Sequence, residues 1–170
     1  MNERPARVLA VLDTSFWVLA YRAEIAANCL DLFDIVVPIA VADELLSREA
    51  RSPTREYPYA TLFRHLQHEL RTSDIEVVPV PRFGKGEAEA IAQAARLGAV
   101  LLINERPSAH YAQNLGLDVA TVPSVIVLLR AQGIISDNAA RQKLKLIAAH
   151  TAPQIVEQAT RALDALGTSN

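Results

Sequence analysis

The chain has 170 residues, of which 51% are apolar and 21% are charged, and this is enough for one domain with a buried core. A net charge of −2 and a pI near 6.1 exclude a general attraction to nucleic acid or an anionic membrane. A polyanionic partner must therefore be held by a local basic patch or by metal ions. The single cysteine, Cys29, excludes an internal disulfide framework and fits a reducing compartment. The N-terminal apolar run is too short for a signal peptide and no window reaches the length of a membrane span, which predicts a soluble cytoplasmic protein.

Apolar runs alternate with helical patterns in the first part of the chain. Residues 8–12 form a continuous apolar run, which is typical of a strand buried on both faces. Residues 35–37 form a second short strand, stopped by Pro38. Residues 16–31 and 39–50 carry helical patterns that follow these strands.

The same alternation continues to the end of the chain. We predict further helices at residues 59–71, 87–97, 107–115, 123–132, 136–150 and 153–166, and further strands at residues 75–80, 99–103 and 117–122. Strands that alternate with helices predict an α/β fold, a doubly wound parallel sheet of about five strands with helices on both faces. In such sheets ligands bind beyond the carboxyl ends of the strands, where the strand order reverses.

Polar side chains directly follow the first and the fourth predicted strands. Asp13 comes after the first strand, and Asn104 and Glu105 come after the fourth. If these strands are neighbours, the three side chains meet at one edge of the sheet. The alternative for Asp13 is a simple helix N-cap, a role that Asp often has after a strand.

Further acidic residues begin the helices that follow other elements. Glu87 lies on the stripe of its helix that should face the sheet, whereas Glu89 should be solvated. Asp43 and Glu44 both flank an apolar helix face, and periodicity alone does not decide which of the two faces the site.

Carboxylates that converge on one edge repel one another and raise one another's pKa, and a divalent cation removes this conflict. Oxygen ligands suit Mg²⁺ or Mn²⁺, which can hold a phosphate oxygen and orient an attacking water.

Four segments resemble a known family: VLDTSFW, VADELL, GKGEAEAIAQAARLGAVLLINER and LGLDVATVPSVIVLLRAQGII. They cover most of residues 8–135 and are similar to the PIN-domain nucleases, in particular the VapC-like toxins of type II toxin–antitoxin pairs. The resemblance implies a nuclease domain over residues 1–135, with residues 136–170 as C-terminal helices packed on it or extending it. It also implies Mg²⁺- or Mn²⁺-dependent hydrolysis of RNA phosphodiesters.

The resemblance assigns roles to individual residues. The catalytic acids fall on Asp13, Glu44, Glu87 and Glu105, of which Asp13, Glu87 and Glu105 would bind the metal. The supporting residues are Thr14, Ser15 and Asn104.

The sequence departs from the family pattern after the fourth strand. The related branch usually has two aspartates where this chain has Asn104 and Glu105. Because a longer side chain can displace a metal by enough to matter, two hypotheses remain: a metal-dependent endoribonuclease, and a catalytically weakened module that binds RNA or a protein without cleavage.

Basic residues near the acids are predicted to bind RNA phosphates. Lys85, Arg106 and Arg48 are the predicted contacts, while a solvated basic face is the favoured interpretation of Arg51 and Arg55. The resemblance further implies a small antitoxin protein and a homodimer as partners. The aromatic loop segment RSPTREYPYATLF is a candidate contact with such a partner, although it can equally pack on its own domain.

Overall fold

A computed structural model describes residues 6–51, 54, 57–74 and 80–167, and the side chains of residues 48–50 are outside this description. Five parallel strands form one sheet in the order β3-β2-β1-β4-β5. The strands are β1 (Val8–Leu12), β2 (Phe33–Pro38), β3 (Arg71–Ser73), β4 (Val100–Leu102) and β5 (Val119–Ala120).

Helices connect the strands and complete the chain. They are α1 (Thr14–Arg22), α2 (Cys29–Leu32), α3 (Ile39–Arg51), α4 (Pro58–Leu66), α5 (Lys85–Leu97), α6 (Arg106–Asn114), α7 (Val122–Ala131), α8 (Asp137–Ile147) and α9 (Pro153–Gly167). Short 3₁₀ helices follow α4 (Gln67–Glu69) and α8 (Ala148–His150). The predicted fold class, a doubly wound α/β fold with a parallel sheet, is confirmed.

The strand order reverses between β1 and β4. Strand β1 pairs with β2 on one side and with β4 on the other. The register aligns Leu12 with Leu102, and the backbone N–H of Asp13 donates to the Leu102 carbonyl at 2.9 Å. The residues that follow β1 and β4 therefore lie side by side at the switch point, where doubly wound sheets bind ligands.

Strand β1 is the centre of the hydrophobic core. Its residues Ala10, Val11 and Leu12 are all fully buried. Because successive side chains of a strand point to opposite faces, three buried neighbours mean that both faces of the sheet are covered. Helices α8 and α9 join the same core through side chains such as Leu144 and Leu163.

The helix predicted over residues 16–31 is wrong, because the chain breaks between α1 and α2. Glu24 adopts a left-handed φ of 58°. The N–H of Glu24 donates to the Tyr21 carbonyl and the N–H of Ile25 to the Ala20 carbonyl, both at 2.9 Å. These bonds form a Schellman motif, which usually has glycine at the left-handed position. A glutamate there gives no sequence signal of a helix end.

The segment between α3 and β3 also differs from the prediction. The helix predicted over residues 59–71 ends earlier, at Leu66, and a 3₁₀ turn leads into β3 at Arg71–Ser73. The third strand therefore lies before the residues 75–80 at which it is expected. Residues 75–79 themselves lie outside the described residues. The loop segment RSPTREYPYATLF can be followed only in part, since residues 52, 53, 55 and 56 also lie outside, and its last residues belong to α4.

Two further features concern the single cysteine and the character of the helices. Cys29 is buried at the start of α2, and its burial raises the pKa of the thiol to about 12, so it is chemically inert at neutral pH. In the described segments no helix combines the length and the apolar character needed to span a bilayer.

Candidate functional site

An open groove of about 910 Å³ lies where β1 and β4 end. We call it the acidic groove, because four carboxylates line it: Asp13, Glu44, Glu87 and Glu105. They come from four separate segments of the chain and are brought together by the ends of β1 and β4, by α3 and by the start of α5.

Asp13 is the most buried of the four acids, with 1% of its surface exposed. It is the N-cap of α1, and its Oδ2 accepts hydrogen bonds from the Ser15 backbone N–H at 2.8 Å and the Ser15 hydroxyl at 2.5 Å. Its Oδ1 is buried and has no partner among the described residues. Asp13 is thus both a helix cap and a carboxylate with one oxygen left unsatisfied.

The environment of Asp13 raises its pKa from 3.8 to about 6. Burial is the main cause, because it removes water from the charged form. The two hydrogen bonds from Ser15 oppose this increase, whereas the nearby charges of Glu87 and Glu44 add to it. The fold therefore holds Asp13 where a negative charge is unfavourable unless a cation compensates it.

Ser15 connects the ends of the two central strands. Its hydroxyl donates to Asp13 Oδ2 and accepts from the backbone N–H of Asn104 at 3.0 Å. Thr14, its neighbour, donates from Oγ1 to Glu44 Oε2 at 2.7 Å. Two of the three residues predicted as supporting, Thr14 and Ser15, therefore orient acidic groups.

Glu44, rather than Asp43, lines the groove. Its Oε1 accepts from the backbone N–H of Gly86 at 3.0 Å, in the first turn of α5. A Cβ at residue 86 would lie 2.6 Å from this oxygen, so glycine is needed for the carboxylate to approach the helix. Asp43 is exposed and is not part of the groove.

Glu87 is held from two sides. Its Oε2 accepts from the backbone N–H of Gly84 at 3.2 Å, which caps the start of α5, and its Oε1 accepts from the Ser108 hydroxyl at 2.7 Å. Ser108 is almost fully buried in α6. The carboxylate is therefore fixed between α5 and α6, as the inward stripe of α5 predicts.

The two residues that depart from the family pattern have different environments. The side-chain Oδ1 of Asn104 accepts from the backbone N–H of Val122 at 3.4 Å, at the first residue of α7. Glu105 lies at the N-cap position of α6, but its exposed side chain makes no capping hydrogen bond there. Both line the acidic groove, Asn104 with its amide oxygen already engaged and Glu105 with its carboxylate exposed.

The expectation that Glu89 is solvated is wrong. Only 8% of Glu89 is exposed, and its Oε2 accepts from the backbone N–H of Ala40 at 3.1 Å, near the start of α3. The reason is that α3 packs against α5 and covers this face. The exposed Lys85 ammonium lies 3.8 Å from Glu89 Oε1, and neither Lys85 nor Arg106 is among the residues that line the groove.

A different set of Arg and His side chains lines the groove. Arg22 and His150 contact each other there through Nη1 and Nε2. The Arg82 guanidinium lies 5.6 Å from the ring centroid of Phe83 and 5.4 Å from that of Tyr111, within cation–π distance. Among the described residues, the Arg and His side chains that line the groove are Arg22, Arg51, Arg82 and His150.

The sequence does not predict Arg22, Arg82 and His150 as groove residues. For Arg51 it favours a solvated basic face, whereas the structure places Arg51 in the groove lining. The predicted contact Arg48 belongs to α3, but its side chain lies outside the described part of the chain, as does the whole of Arg55. His150 gives no local signal, because only the packing of the C-terminal helices carries it to the groove.

The oxygen donors of the groove fit a divalent cation without enclosing one. Asp13 Oδ1 is a buried acceptor with no partner among the described residues, and the charges of Glu44 and Glu87 act on the same carboxylate. Within the described ranges no three Asp, Glu, His or Cys side chains form a metal site by themselves. Mg²⁺ is usually bound by one or two carboxylates together with water and phosphate oxygens, so the donors present are of the right chemical type.

Fold and groove together define a class: an α/β protein with an acidic ligand site at the switch point of a doubly wound sheet. Residues 10–165 match the family DUF3368, described as a PIN domain, and the chain belongs to this PIN-domain family. PIN domains are generally nucleases, and they usually use divalent metal ions.

Two solved structures are similar to the chain. A PilT N-terminus domain protein from Sulfolobus solfataricus is 20% identical, with a TM-score of 0.48 over 67% of this chain and 87% of that one. A domain of a functionally unknown protein from Methanocaldococcus jannaschii is 18% identical, with a TM-score of 0.50 over 67% of this chain and 90% of that one. The similarity to the Methanocaldococcus jannaschii domain extends to the fold alone. No curated protein sequence matches the chain.

Proposed function

We propose that this protein is a metal-dependent endoribonuclease that hydrolyses RNA phosphodiester bonds with Mg²⁺ or Mn²⁺. The observation that carries the proposal is Asp13, a buried carboxylate at the switch point with one oxygen lacking a partner among the described residues. A fold does not keep such a group for stability, because an unsatisfied buried carboxylate destabilises the folded state.

In this proposal the metal is held by Asp13, Glu87 and Glu105. When bound, it supplies Lewis-acid activation of a phosphate oxygen and of a water molecule. Glu44 acts as the fourth catalytic acid. The cations that line the same groove support an anionic substrate, since arginine and phosphate form geometrically matched hydrogen bonds.

The chain's own polar groups prepare the acids for this role. Ser15 fixes Asp13 through two hydrogen bonds, and Ser108 fixes Glu87 through one. Thr14 fixes the Glu44 carboxylate in the same way. Rigid positioning of this kind is what catalysis requires, because displacements near 1 Å can lower a rate by orders of magnitude. Lys85, Arg106 and Arg48 remain proposed RNA contacts.

The test is RNA cleavage with Mn²⁺ by the wild type beside Asp13→Asn and Glu87→Gln. We expect both variants to lose at least about 100-fold in rate, the typical effect of removing a charged group from a preorganised site. Asp43→Asn is the matched control, because Asp43 is next to Glu44 but is exposed and outside the groove. Equal cleavage by the wild type and both groove variants would contradict the proposal.

A second candidate function, a weakened module that binds RNA or a protein without cleavage, is favoured by Asn104. This position supplies an amide instead of a carboxylate. The amide oxygen is also already engaged, because it accepts from the backbone N–H at the start of α7. This alternative predicts no cleavage with any divalent ion. Calorimetric detection of tight Mn²⁺ binding that is lost in Asp13→Asn would count against it.

The biological setting is part of the proposal. We place the protein in the cytoplasm as the toxin of a toxin–antitoxin pair, with a small antitoxin protein as partner and a homodimer as its assembly. The support is the resemblance of the motifs around Asp13, Glu87 and Glu105. Residues 1–135 would form the nuclease domain, and residues 136–170 would extend it. Co-expression with the protein of the neighbouring reading frame, followed by size-exclusion chromatography, tests the partner, and separate elution of the two proteins would contradict it.

A further inference from the structure

We propose that Arg22 and His150 form a subsite that binds a phosphodiester of a nucleic-acid strand lying in the acidic groove. The inference deepens the proposed function, on which it rests for the class of substrate. It gives the C-terminal part of the chain a direct role in binding, because His150 is the last residue of the 3₁₀ turn after α8.

The two side chains come from distant parts of the sequence. They are 128 positions apart, and both line the groove that contains Asp13. Arg22 is the last residue of α1, which begins at the acidic residues. The axis of α1 separates Thr14 from Arg22 by about 12 Å, so the subsite holds a part of the strand away from the carboxylates.

The C-terminal helices are attached directly beside Arg22. The ammonium of Lys143, in α8, donates to the backbone carbonyl of Glu24 at 3.0 Å and lies 3.9 Å from the Glu24 carboxylate. Lys143 is only 15% exposed. This contact fixes α8 at the turn that ends α1, which explains why His150 reaches Arg22.

The chemistry of the pair leaves an anion site open. A guanidinium has N–H donors and no acceptor, so Arg22 Nη1 donates and His150 accepts through Nε2. His150 orients the guanidinium without neutralising it. No described Asp or Glu forms an ion pair with Arg22, and both side chains are exposed. The remaining N–H groups of the guanidinium are therefore available to a phosphate, which they match as a planar fork.

Other arginines of the chain show the contrast. Arg71 lies 2.5 Å from Asp34, and Arg161 lies 2.5 Å from Glu157. A paired guanidinium has little charge to offer to a ligand. Arg22 instead contacts an imidazole and no described carboxylate, so its charge is available to an external anion.

The test is binding of a short unstructured RNA oligonucleotide in EDTA, measured by fluorescence anisotropy at several salt concentrations. We expect Arg22→Gln to weaken binding by about tenfold and to reduce the slope of log K against log salt by about 0.7, the loss of one phosphate contact on a single strand. We expect about twofold weaker binding in His150→Gln. The double variant should bind as Arg22→Gln does, because His150 acts through Arg22.

Matched controls separate this effect from a general loss of charge. Arg161→Gln removes one positive charge and His68→Gln removes one exposed imidazole, both outside the groove. Both should bind within about twofold of the wild type with an unchanged salt slope. Equal affinities and slopes for Arg22→Gln and Arg161→Gln would overturn the proposal, and so would a wild type that binds no RNA.

Two further readouts distinguish the subsite from the nuclease proposal and from a simple anion site. Binding in EDTA does not depend on cleavage, so RNA binding that requires Arg22 without any cleavage would reject the nuclease proposal alone. If cleavage occurs, Arg22→Gln should raise KM with little change in kcat, since the subsite lies away from the reacting bond. Inorganic phosphate binding that is lost in Arg22→Gln, with RNA affinity unchanged, would assign the pair to a free anion and overturn the proposal.

Discussion

Charged side chains are arranged in opposite ways in the acidic groove and between the C-terminal helices. At the start of α8, Asp137 accepts from Arg141 at 2.7 Å and lies 3.8 Å from Arg130 of α7, while Arg141 also lies 2.9 Å from Asp164 of α9. In the groove, the described partners of Asp13, Glu44 and Glu87 are hydroxyl and backbone N–H donors, without any Lys or Arg.

The comparison shows two uses of charge within one fold. Opposite charges between α7, α8 and α9 compensate each other and hold the helices together. The groove is lined by acids and by cations such as Arg22 and Arg82, and no ion pair joins them among the described residues. Unpaired charges of both signs in one groove are suited to external ligands of both signs, a divalent cation and a phosphate strand.

The largest expected difference is in the pH dependence of stability. The pKa of Asp13 is about 6 in the folded protein, compared with 3.8 for an aspartate free of this environment, as in the unfolded chain. Between these values the folded state binds more protons than the unfolded state, so the free energy of unfolding falls as the pH rises through this window. Ionised Asp13 therefore costs about 3 kcal/mol above pH 7. In EDTA, Asp13→Asn should be more stable than the wild type by up to this amount.

Urea unfolding at about pH 4 and about pH 8 measures this effect, which should nearly vanish at the lower pH. Asp43→Asn is the control, since that carboxylate is exposed. If the wild type is as stable as Asp13→Asn at the higher pH, the ionised Asp13 carboxylate does not destabilise the folded state, which contradicts the prediction.

A smaller effect is expected from Gly86→Ala. The new Cβ would lie 2.6 Å from Glu44 Oε1 and displace this carboxylate. We expect cleavage to fall by about tenfold, while the free energy of unfolding stays the same or rises by up to about 1 kcal/mol, because alanine is the better helix former. Gly167→Ala, whose Cβ would meet no atom within 4 Å, controls for the helix effect. Unchanged cleavage would mean that the position of Glu44 is unimportant.

The smallest effect is expected from Asp137→Asn, and its sign is opposite to that of Asp13→Asn. Loss of the ion pairs and of the favourable charge at the start of α8 should lower the free energy of unfolding by about 1 kcal/mol. RNA cleavage should be unaffected. Urea unfolding and a cleavage assay check both expectations. A gain in stability from Asp137→Asn would mean that acidic charge is as unfavourable between α7, α8 and α9 as it is in the acidic groove, which contradicts the comparison.

The sequence predicts what is determined by local signals. Strand β1 has the predicted bounds, because residues 8–12 are an uninterrupted apolar run. Helix α5 ends at the predicted residue, since Gly98 adopts the left-handed φ of 60° that closes a helix. Asp13 and Asn104 lie at the same edge of the sheet and both bond to Ser15, because the parallel strands β1 and β4 end side by side.

The remaining features depend on contacts between distant segments. Glu89 is buried because α3 covers its face, and its spacing along α5 does not reveal this. The break after α1 depends on Glu24, a residue type that rarely adopts a left-handed conformation. His150 reaches the groove only through the packing of α8, which a local pattern does not encode.

The central claim is that the negative charge of Asp13 has no cationic partner in the groove and is available to bind a divalent cation. Thermal unfolding with increasing Mn²⁺ tests this claim most directly. Binding to the folded state alone raises the melting temperature as the metal concentration increases. We predict such a rise for the wild type, little or none for Asp13→Asn, and a rise like that of the wild type for Asp43→Asn. An equal response of the wild type and Asp13→Asn, or no response in the wild type, would contradict the claim.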